Sequence, residues 1–162
     1  MGFSKLGEPL LSRGLIRRSS LGARIIAGST PPIVTNGGFD SDTDGWSAGN
    51  ATLDSVVGGQ VGNCLRITNT AGATGRASQQ LMIPAGTYTL TLYQKTGTGA
   101  GFVSVSAAAG GFDLVNAALN NGDWALFSVG FTCAFDNPWL NLWVNSIVNG
   151  QTTFYDEVSV SE

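Results

Sequence analysis

The chain has 162 residues, enough for one domain with a real core and too few for two ordinary ones. Apolar residues make up 43% of it and charged residues only 12%, with 23 glycines, a balance typical of turn-rich all-β proteins rather than helical or disordered ones. There is no histidine, which excludes Ser-His-Asp and Cys-His catalysis and removes the commonest transition-metal ligand.

The net charge of −3 is the difference between two unlike parts. Residues 1–30 carry five cations against Glu8 alone, giving +4, whereas the rest of the chain carries Arg66, Arg76 and Lys95 against ten acids, giving −7. A basic arm thus precedes an acidic body. The sign of the body argues against nucleic acid as a partner, because phosphate binding needs clustered cations.

The arm is residues 1–32, MGFSKLGEPLLSRGLIRRSSLGARIIAGSTPP. A secretory signal peptide needs an unbroken apolar run of roughly 7–15 residues. Arg13, Arg17, Arg18 and Arg24 interrupt every run here, so no secretory signal is expected, and no stretch of the chain is long and apolar enough to span a membrane. Around those arginines fall three apolar pairs, Leu10 with Leu11, Leu15 with Ile16, and Ile25 with Ile26, while Pro9, Gly14, Gly22 and Gly28 oppose a helix. Such a segment is expected to be unstructured alone and to order against a partner, with the pairs and the four arginines as its anchors. An unstructured leader is the plainer alternative. Pro31 and Pro32 mark the hinge into a single domain over residues 33–162.

The first stretch of the domain, NGGFDSDTDGW at 36–46, suits a calcium loop, the edge of a sugar site or a tight turn. Short alternating runs then follow between Gly, Asn and Asp clusters. ATLDSVV and NCLRITN read as strands, with Leu65 and Ile67 inward. RASQQLMIPAGTYTLTLYQKTG reads as a strand, a Pro-Ala-Gly turn and a longer strand; in the latter, Tyr88, Leu90 and Leu92 share one face and Thr89, Thr91, Tyr93 and Lys95 the other. GFVSVSAAAGG supplies another strand, and DWALFSVGFTCAF places Phe127, Val129, Phe131 and Cys133 inward. PWLNLWVNS alternates Leu140, Leu142 and Val144 against Trp139, Asn141, Trp143 and Asn145, and TTFYDEVSVSE closes the chain. Strands at this spacing without a long helical period predict an antiparallel β-sandwich. Cys64 and Cys133 lie in separate strands with no metal-like spacing. They are either two buried thiols or a disulfide, which would close a long loop and contribute roughly 4 kcal/mol on the entropy model.

Four of these segments, NGGFDSDTDGW, IPAGTYTLTLYQKTG, DWALFSVGFTC and TTFYDEVSVSE, in this order and spacing, resemble the carbohydrate-binding-module jelly roll of the family 4/9/22 type over residues 33–162. The resemblance implies a two-sheet jelly roll with a concave glycan-binding face and a structural calcium ion joining the chain ends. It places one calcium ligand at Asp40, where the family's glutamate is one methylene longer, and another at Asp156. Calcium takes six to eight oxygens, many from backbone carbonyls that glycine-rich loops expose. The alternative for Asp40, Asp42 and Asp44 is that they are solvated turn residues.

The expected glycan site is the face carrying Trp139, Asn141, Trp143 and Asn145, because sugars need flat aromatic surfaces beside amide hydrogen-bonders. Thr91 and Tyr93, also pointing out of the core, are expected to line the same groove. The alternative is that the tryptophans pack beneath the arm, a loop or a second copy in a homo-oligomer. Trp46 and Trp124 flank turns and are expected to be packing residues.

Catalysis is not expected, since the aspartates sit in turn-like contexts without apolar flanks to raise a pKa and no nucleophile motif appears. The arm and the jelly roll together suggest a bacteriophage virion protein, a capsid decoration, head fibre or tail accessory assembled in the host cytoplasm. The arm also loosely resembles short leaders of phage structural proteins. It would bind other virion proteins of the capsid or tail, and the jelly roll would face host-surface glycan. The alternative is a secreted or cell-surface module of a polysaccharide-degrading system.

Overall fold

The computed structural model describes residues 32–70 and 72–162. The expected anchors of the arm all lie outside the described residues: the apolar pairs Leu10 and Leu11, Leu15 and Ile16, Ile25 and Ile26, and the arginines Arg13, Arg17, Arg18 and Arg24. Ten strands run in chain order: β1 (Ser47–Gly49), β2 (Ala51–Val57), β3 (Asn63–Asn69), β4 (Gly75–Gln80), β5 (Gly86–Thr96), β6 (Gly101–Ser106), β7 (Val115–Leu119), β8 (Ala125–Cys133), β9 (Trp139–Val144) and β10 (Thr152–Ser161). They make two antiparallel five-stranded sheets, one ordered β1-β4-β9-β6-β7 and the other β2-β3-β10-β5-β8, stacked as a jelly-roll sandwich.

The core follows from the alternation in each strand. The second sheet contributes Leu65 and Ile67 from β3 and Tyr88, Leu90 and Leu92 from β5. The first sheet answers with Val103 and Val105 from β6 and Leu140, Leu142 and Val144 from β9. Each such side chain stabilises the fold by about 1.5–3 kcal/mol when fully buried. On β8, Phe131 and Cys133 are buried, while Phe127 and Val129 pack against the core half-covered because the strand is at the sheet edge. Cys64 and Cys133 are free, buried thiols. They face opposite sides of the second sheet, with β10 and β5 between their strands.

Alternation breaks once, in β10. Tyr155 and Val158 both point inward although three residues apart, because a bulge between Asp156 and Ser159 inserts Glu157 at φ 48°. The fully buried Tyr155 ties the sheets together: its hydroxyl lies 2.7 Å from the Trp143 carbonyl and accepts the Phe102 N–H at 2.9 Å.

The segment leading into β1 is fixed by a backbone mimic. Buried Gln79 accepts the Thr35 N–H and donates to the carbonyls of Thr35 and Gly45. Phe39, fully buried, packs on Trp46 with ring centroids 5.5 Å apart, and the Trp46 indole N–H donates to Thr35.

Candidate functional site

The ladders of the first sheet fix which residues share its outer face. Arg76 on β4, Trp143 on β9, Phe102 on β6 and Ala118 on β7 form one row across it; Ser78, Asn141, Ser104 and Asn116 form the next. Trp139 lies one row further along β9, between Gln80 and Ser106.

The loop that joins β6 to β7 lies over this face. Asn141 Oδ1 accepts the Gly110 N–H at 2.8 Å, and the hydroxyls of Ser104 and Ser106 donate to the carbonyls of Gly111 and Ala108. Within the loop, Asp113 accepts the Ala107 N–H. So held, Phe112 stacks on Trp143, with centroids 5.3 Å apart and planes 20° apart, and meets Phe102 edge-on at 5.5 Å. The Arg76 guanidinium lies 5.4 Å from the Trp143 ring centre. The Trp143 indole N–H donates to Ser104.

Beside this stack opens a cleft of about 320 Å³ lined by Thr74, Phe102, Phe112, Asn116, Ala118, Trp143 and Asn145. Phe112 is 48% exposed. Asn116 and Asn145 are exposed, and their side-chain amides make no hydrogen bond among the described residues. Apolar ring faces beside unspent amide donors and acceptors are what a sugar ring requires.

The structure redistributes the expected site residues. Trp143 and Asn145 line the cleft, but Trp143 is only 6% exposed, so its face is not an open platform; Phe112 covers it. Asn141 is fully buried and its amide is used inside the fold, accepting from Ser78 and Gly110 and donating to Ser104 and Ser106, so it has nothing left for a ligand. Trp139 is half-buried and is not among the lining residues. Thr91 and Tyr93 cannot share the groove: they lie on β5 in the second sheet, and their outward side is the opposite side of the sandwich. Sequence reasoning missed Phe102, Phe112, Asn116 and Thr74. Phe102 was accessible from the alternation with Val103 and Val105, whereas Phe112 belongs to a glycine-rich loop with no periodicity.

Asp40 and Asp156 approach one loop, residues 58–62, on the outer side of the second sheet. A β-carbon at Gly62 would lie 2.5 Å from Asp40 Oδ1, and one at Gly59 would lie 2.6 Å from Asp156 Oδ2, so only glycine lets both carboxylates come this close to the loop. Asp156 has no exposed surface; its Oδ2 accepts the Val61 N–H and its Oδ1 the Glu157 N–H. Burial pushes its pKa up against those hydrogen bonds, and the charge of Asp40 adds to the rise. No cation pairs with it among the described residues, where the one ion pair is Arg66–Asp54. Two carboxylates on one loop without a counter-ion fit a hard divalent cation. Glu157 Oε1 lies near Asp40 on the Gly38 side, but no three His, Cys, Asp or Glu side chains are placed to share a metal among the described residues, so further ligands would be carbonyls or water. Asp42, by contrast, is a turn residue, accepting from Asn36 and from the Asp44 N–H.

No protein-family model and no curated protein sequence matches the chain. Solved structures do match. A family 16 carbohydrate-binding module is 22% identical, with a TM-score of 0.62 over 80% of this chain and 99% of that one. A family 61 module in complex with β-1,4-galactotriose is 14% identical, with a TM-score of 0.61 over 82% of this chain and 99% of that one. The enzymatically active domain of tailspike protein 4 of bacteriophage CBA120 is 15% identical, with a TM-score of 0.63 over 80% of this chain but 21% of that one. The chain has the jelly-roll fold of the carbohydrate-binding modules.

Proposed function

We propose that this protein is a non-catalytic glycan-binding protein of a bacteriophage particle, holding a neutral saccharide in the cleft of Phe102, Phe112 and Asn116. The observation that carries the binding role is the cleft itself, where exposed aromatic surface meets two amides with no partner among the described residues. None of its seven lining residues is ionisable, so the cleft offers no general acid or base of its own. The virion role rests on the basic, apolar-spotted arm, and the phage tailspike neighbour is consistent with it. In this reading the arm joins a capsid or tail protein and the jelly roll binds host-surface glycan. Asp40 and Asp156 would hold a calcium ion that supplies a fixed positive charge between the carboxylates. The second reading, a module of a polysaccharide-degrading system, is favoured by the near-complete coverage of isolated binding modules.

Affinity electrophoresis in gels cast with β-1,4-linked glucan, xylan or galactan tests the cleft. Phe112→Ala combined with Asn116→Ala should abolish retention while the protein stays folded, its stability lowered by no more than the roughly 1–3 kcal/mol of the lost ring contacts with Trp143 and Phe102. Undiminished retention would exclude this cleft. Trp143→Ala, in contrast, should lower stability by about 3–5 kcal/mol, as buried aromatic truncations do. Deleting residues 1–30 should leave a folded protein that no longer joins particles; normal incorporation would defeat the virion reading.

A further inference from the structure

A second cleft, of about 240 Å³, lies on the outer face of the other sheet and is lined by Val57, Gly58, Cys64, Lys95, Trp124 and Phe154. Lys95 stands between two aromatic residues in the strand register. Lys95 on β5 stands opposite Phe154 on β10, and because the β5–β8 ladder ends at Gln94 and Ala125, Trp124 flanks Lys95 from the other side. The Trp124 indole N–H donates to the Gly58 carbonyl at 3.1 Å, which fixes the ring at the cleft. Cys64 is 1% exposed, and burial pushes its thiol up to about 11, so it presents a neutral surface.

Lys95 is unspent. Of the three cations in the body, Arg66 pairs with Asp54 and Arg76 lies over Trp143. The Lys95 ammonium has neither an ion pair nor a ring contact nor a hydrogen bond among the described residues, although the body carries ten acids. An ammonium offers three donors and a full charge. A neutral sugar would use the rings and leave that charge idle, and a simple anion would use the charge and leave the rings idle.

We propose that this cleft binds a carboxylated pyranose, a hexuronate unit of an acidic polysaccharide, with the ring's C–H face against Trp124 and Phe154 and its carboxylate on Lys95. A hexuronate carries its carboxylate on the ring carbon next to the ring oxygen, so charge and apolar face arrive together. This site is on the opposite side of the sandwich from the Phe112 cleft and stands independently of the function proposed for that cleft.

The test is titration of the full chain with oligogalacturonate, its methyl ester and poly-glutamate, read by calorimetry and by tryptophan fluorescence. Oligogalacturonate should bind, and the uncharged ester should bind at least about tenfold more weakly. Lys95→Gln should also weaken oligogalacturonate binding at least about tenfold with no change in melting temperature, and Lys95→Arg should restore most of it. Repeating the titration in the Phe112→Ala protein separates the two clefts: retained uronate binding supports the second site even where neutral glycan is lost. The proposal is overturned by absence of binding, by equal binding of the ester, by indifference to Lys95→Gln, or by poly-glutamate binding as well as oligogalacturonate, which would show anion attraction alone.

Discussion

Asn141 has no exposed surface and uses its side-chain amide entirely within the fold, joining β4 through Ser78, β6 through Ser104 and Ser106, and the overlying loop through the Gly110 N–H. This one amide therefore helps to determine where Phe112 sits, since the loop that bears Phe112 is hung from it and from the hydroxyls of Ser104 and Ser106. Removing the amide strands a backbone donor in a covered place, which costs about 1–3 kcal/mol. Asn141→Ala should lower stability by that amount in urea titrations and, more tellingly, should abolish hydrogen-exchange protection of the Gly110 amide. Glycan affinity should fall with it, because Phe112 would lose its fixed position on Trp143. Unchanged protection at Gly110 would mean that the serine hydroxyls alone hold the loop.

At the scale of strands, what the sequence disclosed was periodicity and what it hid was everything carried by loops. Period-2 alternation located β5, β8 and β9 and assigned the inward sides of Leu90, Phe131 and Leu142 correctly. It did not reveal β1, of three residues, or β7, whose VNAAL lacks a branched or aromatic run. It also could not say which outward faces belong together. Tyr93 and Trp143 both alternate out of the core, yet one lies in each sheet, and only the strand order β2-β3-β10-β5-β8 separates them. The same blindness explains Asn141 and Trp143. Outward phase in a strand implies exposure only where nothing lies above it, whereas the loop from Ala107 to Asp113 covers that face through contacts between residues distant in sequence. The β10 bulge lay outside what alternation could give: TTFYDEVSVSE reads as one alternating strand, whereas Tyr155, Val158 and Val160 all face inward only because one extra residue intervenes.

Across the whole domain, its opening turn and its last strand meet. The Val158 N–H donates to the Gly37 carbonyl at 2.9 Å, and the carboxylates of Asp40 and Asp156 approach the same loop after β2. The two ends of the domain are thus joined by a backbone hydrogen bond and, near it, two acids whose mutual repulsion helps to raise the Asp156 pKa. A divalent cation bound there would convert that repulsion into a clip closing almost the full length of the domain, and it would do so only in the folded state. Linkage sets the size of the effect: calcium at about a hundred times its dissociation constant stabilises by about 2.7 kcal/mol. For a domain of this size each 1 kcal/mol moves the melting temperature by roughly 2–8 °C. Calcium should therefore raise the melting temperature of chelator-treated protein by at least about 5 °C, with magnesium giving less because it favours a tighter octahedral shell. Asp156→Asn keeps the size of the side chain and removes one of the two charges, so its melting temperature should be independent of calcium. Wild-type protein that melts at one temperature in calcium and in chelator would remove the ion from the account, leaving Asp156 as a buried carboxylate held by the backbone amides of Val61, Glu157 and Gln60.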